Sequence, residues 1–270
     1  MITAVARALR RRPVETFAGP APWKVVSAAV AGTSHVRLGI PCQDAAGILQ
    51  LPNGYLIVAL ADGAGSARLS EQGAQLAVEK ALAALESRVG LWPAGTTGDW
   101  EGALRAAFQR ARLALRRRAR RLNEPPRELA ATLTCLIAGE EILAVGQIGD
   151  GVVVWKDSQG RLYQATRAQK GEFANETNFL TQDGALWRVE YYCAAQPASA
   201  FAVTSDGLLR LGLKLPAGDP FSPFFEPLFA FTSAAPAPEA ATVQLEDFLA
   251  SERVCARTED DKSLVIAVRR

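Results

Sequence analysis

The chain carries almost no excess charge of either sign. Its 30 lysines and arginines are nearly matched by 28 aspartates and glutamates, which leaves +2 at neutral pH. A balance that close excludes recognition of nucleic acid or of an anionic membrane by bulk charge. Cysteines are few: Cys42, Cys135, Cys193 and Cys255 lie far apart, with neither CxxC nor zinc-type spacing. That excludes a zinc knuckle and argues against a disulfide framework. The N-terminal arginines are not followed by an apolar stretch of signal-peptide length, and no apolar run approaches the ~20 residues of a membrane helix. The expectation is a cytoplasmic protein with reduced thiols, without nucleic-acid or membrane partners. Internal repeats and convincing domain linkers are also lacking.

What is present is apolar content. Hydrophobic residues make up 49% of 270, enough for one large core. Residues 1–22, rich in Arg and Pro, read as a flexible basic leader, and residues 23–270 as a single domain. Residues 25–31 are a first strand candidate. "CQDAAGILQL" leads into a second, and Asn53-Gly54 between apolar runs marks a hairpin to a third over 55–61. Helical spacing follows over 70–85 and 100–122, the latter with Leu104, Ala107, Phe108, Ala111 and Leu115 on one face. Its many arginines flank that stripe and read as a solvated face rather than a nucleic-acid surface. Strands over 131–138, 142–148 and 152–156 come next, then a polar excursion over 168–183. Further strands are read over 187–193 and 201–204, a helix start at 208–212, a helix over 239–251 and a last strand over 263–268. Residues 213–238, rich in Pro and Phe, show no clear local structure. Strands come in blocks between helical blocks, which favours an α+β fold over a doubly wound parallel sheet.

Aspartates recur where apolar strands begin or end. Asp62 follows one strand, Asp150 sits in a Gly-Asp-Gly turn after another, and Asp206 follows a third. Asp44 precedes an early strand, and Asp260 and Asp261 precede the last. Each alone reads as a turn or cap residue. Together they point to a hard-metal site, because Mg²⁺ and Mn²⁺ prefer oxygen ligands and packed carboxylates repel unless cations lie between them.

The ordered segments "GTSHVRLGIPCQDA", "ADGAGSARLSEQGA", "ATLTCLIA", "IGDGVVVW", "TSDGL" and "DDKSLVIAV" resemble the motif set of the type 2C metal-dependent protein phosphatases, in particular a small bacterial branch. The likeness runs from about Trp23 to Val268. It implies a four-layer αββα sandwich of two antiparallel sheets flanked by helix pairs. It also implies two Mn²⁺ or Mg²⁺ ions, with a third held more weakly, and hydrolysis of phosphoserine and phosphothreonine by metal-activated water. Asp62 would bridge both metals and position the water, and the Gly63 carbonyl would ligate one ion. Asp206 and Asp260 would hold the other, and Asp150 the third. Asp44 and Gln43 would face metal-bound water. The implied partners are phosphorylated proteins and a cognate Ser/Thr kinase, with a monomer as the expected state. Residues 168–183 match the family's flap near the substrate.

Three positions depart from the family pattern. Gln43 stands in place of a Glu, Gly39 in place of the phosphate-binding Arg, and Ala64 in place of a His after Asp-Gly. His35, the single histidine, is read as lying in the loop before the motif and as the candidate proton donor and phosphate ligand. Arg37 and Arg68 are rival phosphate ligands. Cys42 fills the family's Asn position and is read as packing. These departures also motivate a rival reading, a pseudo-phosphatase that binds phosphoproteins or a kinase without turnover. Hydrolysis of a small phosphorylated metabolite is a third.

Overall fold

The computed structural model describes residues 22–90, 97–169 and 177–270. The basic leader and part of the flap segment therefore lie outside the described residues. The strands are β1 (Trp23–Val30), β2 (Ala45–Gln50), β3 (Leu56–Ala61), β4 (Leu133–Ala138), β5 (Leu143–Ile148), β6 (Val152–Asp157), β7 (Leu162–Thr166), β8 (Glu190–Ala194), β9 (Ala198–Thr204), β10 (Leu213–Lys214), β11 (Asp219–Pro220) and β12 (Lys262–Arg269). The helices are α1 (Thr33–Leu38), α2 (Ser70–Val89), α3 (Thr97–Leu122), α4 (Leu209–Gly212), α5 (Ser222–Ala234), α6 (Pro238–Ala250) and α7 (Glu252–Cys255).

Two antiparallel sheets, β1-β12-β9-β6-β7 and β2-β3-β4-β5-β8, face each other, and β10-β11 form a short separate ribbon. Between the sheets lies a buried apolar layer that includes Leu56, Val58, Leu136, Val145, Trp155, Phe201, Val203 and Val265. Both sheets are covered on their outer faces, so their central strands are buried on both sides and read as near-continuous apolar runs. β3 and β4 are buried at every position. Helices α2 and α3 close one outer face through Ala77, Val78, Leu82, Phe108 and Leu115. Helices α5 and α6 close the other through Phe225, Leu228, Phe229 and Leu245. This is the αββα sandwich expected above.

The structure corrects several local readings. His35 lies not in a loop but in α1, a short helix with no buried residue. Residues 213–238 hold the β10-β11 ribbon and α5, in which Phe224, Phe225, Leu228 and Phe229 are buried. The strand read from 187 begins at Glu190, after a 3-10 turn at Ala185–Trp187. The excursion after β7 is not wholly surface, since Gln169, Leu180 and Thr181 are buried.

Three of the four passages between the sheets lie at one end of the sandwich. The segment after β1 crosses to β2, the turn after β5 crosses to β6, and the excursion after β7 crosses to β8. Antiparallel register brings the matching ends together: Ala45 opposite Ala61, Leu133 opposite Ile148, Thr204 opposite both Val152 and Leu264. Residues just past those pairs, including Asp44, Asp62, Asp150, Asp206 and Asp260, must therefore gather at that end.

Candidate metal centre and phosphate cleft

Asp62 follows the fully buried β3. Its main chain is gripped twice by Thr132, whose Oγ1 accepts from Asp62 N at 2.9 Å and whose N–H donates to the Asp62 carbonyl at 2.8 Å. Gly63 next to it donates its N–H to the Gln43 carbonyl at 3.2 Å. A Cβ at Gly63 would stand 2.8 Å from the Ser70 carbonyl and 2.9 Å from that of Gln43, so no larger residue fits there. Asp150 occupies the crossover from β5 to β6. Buried Gln147 staples that turn, its Nε2 donating to the carbonyls of Gly149 at 3.2 Å and Gly151 at 2.8 Å. Asp206 opens the 3-10 turn that follows β9.

These elements bring oxygens of Asp62, Asp150 and Asp206 within 4.8 Å of one another. They line a cleft of about 1110 Å³, together with His35, Gln43, Gly63, Asp260 and Asp261. Burial, then the charges of Asp44, Asp206, Asp150 and Asp260, push the Asp62 carboxyl well above its ordinary value. Asp206 is pushed up to about 7 by burial and then by Asp150, Asp260 and Asp44. Burial also raises Asp150, against the opposing hydrogen bond that Thr177 Oγ1 donates to its Oδ2. Asp44, beneath the cleft, is pushed up to about 7, first by burial and further by Asp261. The Ser205 and Ser263 hydroxyls oppose that rise from nearby, but neither completes a hydrogen bond to it. Burial first, then Asp44 and Asp261, push the Cys42 thiol up, which keeps it protonated and inert.

The acceptors in this group have too few donors. Both carboxylate oxygens of Asp44, Oδ1 of Asp206 and Oε1 of Gln43 are buried without a hydrogen-bond partner. Unpartnered buried oxygens are rare and call for an ion or water. An all-oxygen set of anions fits a hydrated hard divalent cation.

Asp261 anchors the rim. Its Oδ1 accepts from Gly32 N at 2.7 Å and from His35 Nδ1 at 2.9 Å, and its Oδ2 accepts from Gln43 N at 2.6 Å. His35 is thereby fixed on the cleft wall. Arg37 and Arg68 are not brought to the cleft. Arg37 pairs with Glu259 at 2.6 Å on the surface, and Arg68 pairs with Glu124. Gly39 ends α1 with φ +67°, a conformation L side chains rarely adopt, so an Arg there would be strained. Ala64 is buried and donates its N–H to the Ala130 carbonyl at 3.0 Å. Sequence reading missed Thr177, Gln182 and Arg188, which also line the cleft. The match of residues 168–183 to a flap pointed towards Thr177 and Gln182, whereas Arg188 fell within the strand read over 187–193.

Comparison with known proteins supports the same reading. Residues 31–250 match the family model described as Protein phosphatase 2C. The chain is 34% identical over 252 residues to Serine/threonine-protein phosphatase 3 of Escherichia coli K12, covering 91% of this chain and 98% of that protein. A bacterial serine phosphatase crystal structure superposes with a TM-score of 0.65 at 14% identity, covering 92% of this chain and 98% of the other. The serine/threonine phosphatase of Mycobacterium tuberculosis gives 0.62 at 17% identity, covering 92% and 99%. These structures share the fold, and with the family match and the relative of nearly equal length they lead to one assignment: the chain belongs to the protein phosphatase 2C family.

Proposed function

We propose that the protein is a metal-dependent phosphatase that hydrolyses phosphoserine and phosphothreonine in proteins. The observation that carries the reading is the convergence of Asp62, Asp150 and Asp206 with unpartnered buried oxygens around them. Asp62, the Gly63 carbonyl, Asp206 and Asp260 would hold two Mn²⁺ or Mg²⁺ ions, and Asp150 a third, weaker one. Bound there, the ions supply Lewis-acid polarisation of the phosphoryl group and make water a nucleophile at neutral pH.

The chain's own groups do the rest. Asp44 and the Gln43 amide oxygen accept hydrogen bonds from water and so orient it. Gln43 brings no charge, so the second ion binds less tightly than beside a Glu. His35, with Nδ1 held by Asp261, presents Nε2 to deliver a proton to the departing serine or threonine oxygen. A module that binds phosphoproteins without turnover has no use for this many mutually repelling buried acids, and the retained set argues against it. Substrates are phosphorylated proteins, opposite a Ser/Thr kinase. Among the described residues no helix is long and apolar enough to cross a membrane. A monomer in the cytoplasm completes the proposal.

The test is hydrolysis of p-nitrophenyl phosphate and of a phosphothreonine peptide with Mg²⁺ or Mn²⁺, beside Asp62→Asn. Turnover should need the metal and fall at least about 100-fold in Asp62→Asn. The variant should fold as well as the parent or better, because a buried repulsion is relieved. Undiminished turnover by folded Asp62→Asn refutes the reading.

A further inference from the structure

A phosphate ester entering this cleft meets carboxylates on its floor and needs a fixed cationic donor to hold its outer oxygens. The position that carries the phosphate-binding Arg in the family is Gly39, and its backbone strains any side chain. Arg37 and Arg68 are taken by Glu259 and Glu124. Among the described residues one arginine lines the cleft, Arg188.

Arg188 has the features of a held but uncommitted donor. It follows the 3-10 turn at Ala185–Trp187 and leads into β8, the edge strand opposite β2, into which α1 leads. Its carbonyl accepts from Gln169 Nε2 at 2.8 Å, and Gln169 Oε1 accepts from Gly149 N at 3.0 Å. The main chain of Arg188 is thus tied through buried Gln169 to the turn that carries Asp150. Its guanidinium reaches neutral acceptors only, Gln182 Oε1 at 3.5 Å and the Asp183 carbonyl at 3.2 Å. Asp183, the nearby acid, pairs instead with Arg112 and Arg116. Among the described residues no carboxylate neutralises Arg188. A guanidinium has five N–H donors in a planar fork that matches phosphate geometry, so most remain free for a ligand.

We propose that Arg188 is the side chain that grips the substrate phosphate, supplied from the segment before β8 in place of the arginine missing at Gly39. The inference rests on the phosphatase reading for its substrate, but phosphate binding can be measured without turnover. Trp187 beside it is 90% exposed, whereas Trp23, Trp100 and Trp155 are buried, so Trp187 can report binding.

Inorganic phosphate would be titrated into the wild-type protein, Arg188→Ala and Arg188→Lys in Mg²⁺ buffer, by calorimetry and tryptophan fluorescence. The KM for p-nitrophenyl phosphate would be measured in parallel. Arg188→Ala should weaken phosphate binding and raise KM about 10- to 100-fold, the range for charge-assisted hydrogen bonds. Arg188→Lys should recover part of that, as a point charge replaces a fork. The unfolding midpoint should not move. Equal phosphate affinity in the wild-type protein and Arg188→Ala, or no phosphate binding by the wild-type protein, overturns the inference. A fall in unfolding midpoint with unchanged phosphate affinity would make Arg188 a brace for the loop and overturn it likewise. Absence of turnover by the wild-type protein refutes the phosphatase reading alone, since the titration still judges Arg188.

Discussion

Asp260 and Asp261 are adjacent in sequence and opposite in situation. Asp260 is exposed on the cleft, whereas Asp261 is buried and takes two main-chain N–H groups and the His35 ring. A doublet of acids gives no sign of which one turns inward, so the anchoring role of Asp261 was not legible in the sequence. Asp261→Ala strands two buried donors, so unfolding in urea should show a loss of about 3 kcal/mol. His35 can be tested separately from the site's stability. If it protonates the leaving oxygen, His35→Ala should slow phosphothreonine hydrolysis about 100-fold. Hydrolysis of p-nitrophenyl phosphate should be slowed far less, because nitrophenolate departs without a proton. Equal slowing of both substrates would remove His35 from that role.

Among the elements, α3 shows how one helix carries two messages. Its stripe of Leu104, Ala107, Phe108, Ala111 and Leu115 is fully buried, while Arg110 and Arg117 are exposed. Phe108→Ala should cost about 3–5 kcal/mol, whereas Arg110→Glu or Arg117→Glu should change stability by no more than about 0.5 kcal/mol, both read from chemical denaturation. A large loss on reversing either arginine would contradict a solvated face. The buried stripe was legible because 3.6-residue spacing is a local property. So were the hairpin at Gly54, with φ +89°, and the apolar runs of β3 to β6. Helix α5 was not legible, because Pro223 and Pro227 read as breakers. Pro223 falls in the first turn, where its missing N–H has no partner to lose, and the cost at Pro227 is offset by burial of Phe224, Phe225, Leu228 and Phe229. Helix α1 buries nothing, so it has no apolar stripe to read.

At the scale of the whole molecule, the order of acidic motifs was legible, but their convergence depends on crossovers between sheets that no local pattern encodes. That convergence leaves a pH signature. Asp44 and Asp206 ordinarily titrate near 3.8 and are pushed up to about 7, chiefly by burial, with Asp62 raised well above its ordinary value beside them. Between those limits the folded, metal-free protein binds more protons than the unfolded chain, so its stability falls as pH rises from about 4 to 7. Divalent ions act in the opposite sense. They bind the ionised carboxylates of the folded state, so their stabilising effect grows with pH. The unfolding midpoint in EDTA should therefore be higher at pH 5 than at pH 7.5, and Mg²⁺ or Mn²⁺ should raise it more at pH 7.5 than at pH 5. Because other groups also titrate in that range, the comparison with Asp44→Asn isolates the effect. That variant keeps the shape but loses the charge, so its metal-free midpoint should depend less on pH than that of the parent. An Asp44→Asn midpoint that depends on pH as steeply as the parent's, or a parent midpoint that divalent ions do not move, would mean that these carboxylates do not form a strained, cation-seeking cluster.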